Sequence, residues 1–226
     1  MNTILPLATG IVSFIFAVLL LGRFFVRRGW HLLVWSVGML LYSIGGFCEA
    51  FNGAFGWNEL AFRLWYICGA FLSAAWLGQG TLFLLARRRW WVAALAGLLA
   101  LGSAYAVMRV FTAHLDPSLV AQGAQLTGRV ITSAGVRSLT PFFNIYGTLA
   151  LVGGALWSAV LFLRTRKLPN RAAGNILIAV GALLPAIGGS FSRLGLESLL
   201  YASELLGSLL MFFGFLLSSR KTAGQE

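Results

Sequence analysis

The chain has 226 residues, of which 59% are hydrophobic and 10% are charged, with a formal net charge of +11 and a mean hydropathy of +0.85. An average soluble domain is about one quarter charged, and a soluble fold of this size cannot cover so much apolar surface. The composition therefore excludes a water-soluble globular enzyme, a disordered chain and a nucleic-acid-binding domain. In so apolar a chain, basic residues report membrane topology instead.

Seven apolar stretches are each long enough to cross a bilayer as a helix, which takes about 20 residues. They predict an all-α, polytopic membrane protein that forms a single seven-helix membrane domain over residues 1–226. The predicted spans cover about 4–25, 30–51, 59–85, 90–111, 140–163, 171–191 and 196–218.

One long loop remains, at 112–139. Residues 129–137 within it fit a short hairpin that turns at Ala134 and Gly135, an irregular lid, or an amphipathic segment lying on the membrane. A loop of this length more often has a function or packs against the helices than lacks a role.

The basic residues set the orientation. Twelve of the seventeen lie on alternate loops: Arg23, Arg27, Arg28, Arg87, Arg88, Arg89, Arg164, Arg166, Lys167, Arg171, Arg220 and Lys221. The positive-inside rule places these loops in the cytoplasm, so the N-terminus and loop 112–139 are expected outside and the C-terminus inside. The expected location is the cytoplasmic membrane of a prokaryote, where lipids are the first partners.

An internal match indicates a duplication. Residues 37–46 and 180–189 are identical at seven of ten positions, in predicted spans two and six. This predicts parallel repeats over 1–89 and 140–221, with the fourth span as linker, in a 3+1+3 arrangement. The alternative is convergence on small packing residues. Under both interpretations, close helix contacts are expected at Gly45, Gly46, Gly188 and Gly189.

Polar residues cluster in the outer halves of the spans, where charged groups are functional candidates. We expect an outward-facing pocket floored near Glu204, which lies about 12 Å along its span and should be paired with Arg63 or protonated. A structural interpretation also holds for Glu59 and Arg63, which are spaced for an i,i+4 ion pair. The candidate pocket residues are Glu49, Arg63, Tyr66, Asn144, Tyr201, Glu204 and Ser208.

Several chemistries lack their residues. The only lysines, Lys167 and Lys221, lie outside the predicted spans, so a retinal Schiff base is excluded. Cys48 and Cys68 are expected to be free thiols, and no metal site or catalytic set is legible. We therefore predict no enzyme activity and no cofactor, leaving a bound lipid or a non-covalent pigment open.

The stretch from Trp35 to Arg89 resembles the seven-helix N-terminal membrane sensor region of some bacterial histidine kinases. The resemblance rests on a helix with Trp35 and Gly38 that ends in Glu49, followed by a helix that carries Arg63, Leu64 and Tyr66. Those regions feed a cytoplasmic kinase or cyclase domain, which this sequence lacks. The resemblance implies a sensor-like module that acts through a separate protein partner.

Three functions fit these patterns. The first is a ligand-binding or sensor-like module, with its protein partner in the membrane or at the cytoplasmic face and no nucleic acid. The second is a small-solute or proton-coupled transporter, in which Glu204 carries the proton, although the apolar cytoplasmic halves of the spans argue against it. The third is an accessory subunit of a membrane complex. The sequence leaves the oligomeric state open.

Overall fold

Seven long helices form the protein in a computed structural model that describes residues 2–119, 125–133, 135–165, 169–192 and 197–219. All seven are long and apolar enough to cross a membrane, which confirms the prediction of seven such helices. The helices are α1 Ile4–Arg27, α2 Trp30–Phe55, α3 Glu59–Leu85, α4 Arg89–Phe111, α5 Val136–Thr165, α6 Pro169–Ser192 and α7 Glu197–Ser219.

The helix ends follow local chemistry that hydropathy does not report. Arg28 ends α1 in a left-handed conformation, with φ of 52°. The Asn58 side chain caps α3 by accepting a hydrogen bond from the Ala61 backbone N–H at 3.0 Å. Two helices, α2 and α5, extend four residues beyond the predicted spans, to Phe55 and back to Val136.

Six helices pack in a ring. Neighbours in order around it are α1, α2, α3, α5, α6 and α7, and α7 returns to pack on α1. The fourth helix lies outside the ring, against α3 and α5, and most of its residues are exposed. The ring therefore builds the interior of the protein, while α4 is attached to its outer surface.

Glycines bring several ring helices into backbone contact. A Cβ added at Gly45 would lie 2.7 Å from the Gly69 Cα of α3, and one at Gly46 would lie 2.9 Å from the Gly10 nitrogen of α1. Gly188 packs against Ser203 of α7. A Cβ at Gly189 would have nothing within 4 Å, so no close contact requires glycine at that position.

Hydrogen bonds also join the helices. Ser36 and Ser43 of α2 donate to the Ala17 and Gly10 carbonyls of α1, at 2.8 and 2.9 Å. The fully buried Gln79 amide of α3 donates to the Val92 carbonyl of α4 at 2.8 Å. Interhelical bonds of this kind contribute roughly 0.6–2 kcal/mol each in a bilayer.

The segment between α4 and α5 packs onto the end of the ring. Leu115 and Ile131 form an isolated antiparallel bridge, and Gly128–Val130 is a 3-10 turn. Ile131 is 1% exposed and lies in one apolar cluster with Tyr66. Ile131 thus pairs with Leu115 instead of pairing across the hairpin expected at 129–137, and the irregular alternative describes it better. Ala134 lies outside the described residues.

The loops of one end carry the described basic residues Arg27, Arg28, Arg87, Arg88, Arg89, Arg164 and Arg171, and we call it the arginine end. The α2–α3 connection and the segment between α4 and α5 form the opposite end. The ends of the bundle therefore differ in charge, as the sequence predicts.

The glycine contacts give a matched stability test. Gly45→Ala should lower the free energy of unfolding by about 1–3 kcal/mol, because its methyl group would overlap the α3 backbone. Gly189→Ala should be neutral or should stabilise the helix by about 0.5–1 kcal/mol. Tryptophan fluorescence during unfolding in mixed micelles measures both. Equal effects of the two substitutions would contradict this packing.

Candidate functional site

The residues predicted for the outer pocket lead to a cavity of about 360 Å³ between α1, α2, α3 and α7. We call it the carboxyl cavity. Its polar side chains are Tyr42 and Glu49 of α2, Trp65 of α3 and Glu204 of α7. Its remaining wall is made of small residues: Thr9, Gly45, Gly46, Gly69 and Ala70. No basic side chain of the described residues lines it, so the cavity is acidic.

The centre of the cavity is a contact between two carboxyl groups. The Glu49 and Glu204 side chains are within hydrogen-bonding reach of each other. Glu49 is only 3% exposed, and its Oε1 accepts a hydrogen bond from the Trp65 indole N–H at 2.7 Å. Two carboxylates this close repel each other, so the cavity favours a positively charged neighbour.

Tyr42 connects the two helices that carry the glutamates. Its hydroxyl donates to the Glu204 backbone carbonyl at 3.3 Å, across from α2 to α7. Tyr42 and Glu49 are seven residues apart on α2, so two turns of one helix face the same cavity.

Part of the wall that α3 contributes is not α-helical. Tyr66–Leu72 forms a π-helix in the middle of the span, and Gly69 and Ala70 within it line the cavity. The Asn144 amide of α5 donates to the Ala70 carbonyl at 3.0 Å, which supplies a partner for the backbone of this irregular turn. Short π segments occur frequently at functional sites, because they re-aim the side chains of one turn.

Arg63 lies elsewhere and does not meet Glu204. Its guanidinium donates to Glu59 Oε1, from Nε at 2.9 Å and from Nη2 at 2.7 Å, so the i,i+4 ion pair is present. It also donates to the backbone carbonyls of Val110, at the end of α4, and of Ala113, the latter at 3.1 Å. Arg63 therefore ties α3 to the C-terminal end of α4, where a cation is favourable.

The other predicted pocket residues surround the cavity without lining it. The Tyr66 hydroxyl shares a hydrogen bond with Thr140 at 2.8 Å, and Ser208 donates to the Leu205 carbonyl of its own helix. Asn144 contacts the backbone behind the cavity wall, and Tyr201 is buried. Of the seven candidates, the structure brings only Glu49 and Glu204 together in the cavity. Cys48 and Cys68 are buried and free.

The residues predicted from the sequence omit five lining residues: Thr9, Tyr42, Trp65, Gly69 and Ala70. The Thr9 hydroxyl donates a hydrogen bond to the Leu5 carbonyl of its own helix, α1. A single threonine in an apolar span does not by itself indicate a cavity. Trp65 did carry a signal, because it lies within a span and away from the interfacial positions that tryptophan prefers. A buried indole N–H usually requires an acceptor, and here that acceptor is Glu49.

No family model, curated protein or solved structure matches this chain. The arrangement of its own side chains is therefore the basis for assigning a function.

The Arg63 contacts predict an asymmetric pair of substitutions. Arg63→Met should lower the free energy of unfolding by at least about 1–3 kcal/mol, because the Val110 and Ala113 carbonyls lose their donor. Glu59→Gln should cost only about 0–1 kcal/mol, since the Glu59 side chain is 65% exposed. Unfolding in mixed micelles measures both, and an equally large loss in Glu59→Gln would assign the stability to the ion pair instead.

Proposed function

We propose that this chain is an integral membrane ligand-binding module of the sensor-like type, with the carboxyl cavity as its ligand site. The observation that carries the proposal is the buried Glu49–Glu204 contact in a cavity with two aromatic side chains and no basic residue among those described. Buried acidic groups within a bilayer are costly and are retained where they do chemistry.

The chemistry of the cavity favours a small organic cation such as an alkylammonium ion. Its N–H groups can donate to the Glu49 and Glu204 oxygens, and its positive charge offsets the repulsion between the two carboxylates. The Tyr42 and Trp65 rings are the side chains that stabilise cations by their π faces.

The proposal includes the finer topology. We place the arginine end in the cytoplasm and the carboxyl cavity in the outer half, in the cytoplasmic membrane of a prokaryote. The order of the ring supports parallel repeats, because exchanging α1, α2 and α3 for α5, α6 and α7 leaves the list of neighbours unchanged. The module would signal through a protein partner, as the resemblance to histidine kinase sensor regions implies.

Ligand-dependent stabilisation tests the site. Butylammonium should raise the unfolding temperature of the purified protein, by an amount equivalent to about 2.7 kcal/mol at one hundred times its dissociation constant. Glu49→Gln and Glu204→Gln should remove most of this shift, because each replaces one carboxylate of the cavity by a neutral amide. Glu59→Gln, which changes an exposed glutamate outside the cavity, should retain it.

Butanol provides the uncharged comparison in the same measurement. An equal shift with butanol, or a shift that survives in both cavity variants, would contradict a cation site at these glutamates.

A proton-coupled transporter is the second candidate, because a further cavity of about 490 Å³ lies in the same ring toward the arginine end. Alternating access opens a central site to each face in turn, and the two cavities lie at different depths of one ring of helices. The walls of this second cavity are mostly apolar, which favours the sensor-like function for a polar ligand.

Uptake by liposomes separates the two functions. If the chain is a transporter, a pH gradient should drive butylammonium across the membrane, and Glu204→Gln should abolish uptake while Glu59→Gln preserves it. Stabilisation by butylammonium without any uptake supports the sensor-like module, and uptake that is unchanged in Glu204→Gln rules out Glu204 as the proton carrier.

A further inference from the structure

The cavity toward the arginine end has a different chemistry from the carboxyl cavity. Its empty space, including the part that is open to the surroundings, is about 490 Å³, and all six ring helices contribute to its wall. One residue from each helix in ring order illustrates its character: Leu20, Met39, Leu77, Leu151, Ile178 and Phe215. This wall is suited to hydrocarbon.

The few polar groups of this cavity lie toward the arginine end of the bundle. Thr81, Ser158 and Asn175 line it, each within about two turns of the helix terminus at the arginine end. The Thr81 hydroxyl accepts from the Trp35 indole N–H at 3.2 Å. A molecule bound here would therefore meet apolar side chains along its length and polar groups at one end only.

A cation lies beside that polar end. The Arg23 guanidinium lies over the Phe215 ring at 4.7 Å, and Phe215 is part of the cavity wall. The Arg171 guanidinium lies over the Phe162 ring instead, at 5.8 Å, and Phe162 does not line the cavity. The described acidic side chains lie elsewhere: Glu49, Glu59, Asp116 and Glu204 belong to the opposite half of the protein. The mouth of the cavity is therefore complementary to an anion.

We propose that this cavity binds the hydrocarbon chain of a free fatty acid, with the carboxylate held at the arginine end by Arg23. We call it the acyl cavity. An apolar wall whose polar groups and neighbouring cation lie toward the arginine end matches a single-chain anionic amphiphile. The site is independent of the carboxyl cavity, since the two have no lining residue in common.

Native mass spectrometry of the protein in phosphatidylcholine nanodiscs tests the proposal, with dodecanoate as the probe and dodecanol as its uncharged counterpart. Dodecanoate should bind at one site and more tightly than dodecanol. Ala155→Phe should abolish binding, because Ala155 is a buried residue of the cavity wall. Ala100→Phe places the same ring on the exposed surface of α4 and should leave binding unchanged.

The charged rim has its own pair of variants. Arg23→Gln should weaken dodecanoate binding about tenfold and leave dodecanol unaffected, since a hydrogen bond to a charged group is lost. Arg88→Gln, which removes an exposed arginine of the α3–α4 loop, should change neither.

Three results would overturn the assignment. One is dodecanoate binding that persists in Ala155→Phe, and another is equal affinity for dodecanoate and dodecanol. The third is retention of phosphatidylglycerol from mixed nanodiscs in place of dodecanoate, which would make a membrane phospholipid the occupant. If Ala155→Phe fails to fold, as judged by its unfolding temperature, Ala155→Leu fills the same space with a smaller side chain.

Discussion

The contact between the backbones of α2 and α3 at Gly45 and Gly69 determines the geometry of the interior. Both glycines line the carboxyl cavity, and a methyl group on Gly45 would overlap the facing chain. With the two helices this close, Trp65 lies one turn before Gly69 and reaches Glu49, one turn beyond Gly45. The position of the buried glutamate therefore depends on the absence of two side chains.

The irregular turn of α3 depends on a second constraint, the hydrogen bonding of the backbone. In a bilayer, a backbone carbonyl that leaves its helical partner must find another inside the protein. The Asn144 amide donates a hydrogen bond to the Ala70 carbonyl. The Arg63 guanidinium donates to the Val110 and Ala113 carbonyls where α4 ends. Polar side chains that look like pocket residues in the sequence are thus used to satisfy the backbone around the site, and the two glutamates remain in the cavity.

Charge and shape divide the interior into two parts. The carboxyl cavity contains acidic oxygens and aromatic rings, while the cavity toward the arginine end is bordered by hydrocarbon and a cation. Both lie inside one ring of six helices, and α4 contributes to neither wall. The ring allows two cavities of different chemistry because different turns of the same helices line each of them.

Apolar length alone was enough to predict seven helices, because a bilayer demands about 20 apolar residues for each crossing. Helical spacing also selected Glu49 and Glu204 as pocket residues, since carboxyl groups are rarely tolerated at that depth without a role. It could not tell which polar side chains meet. Arg63 faces Glu59 and α4, and Trp65 faces Glu49, because these partners depend on which helices adjoin in the ring. The hydrocarbon-lined cavity left no trace in the sequence, since its wall combines residues of six helices that are apolar in any arrangement, and only their packing leaves a space between them.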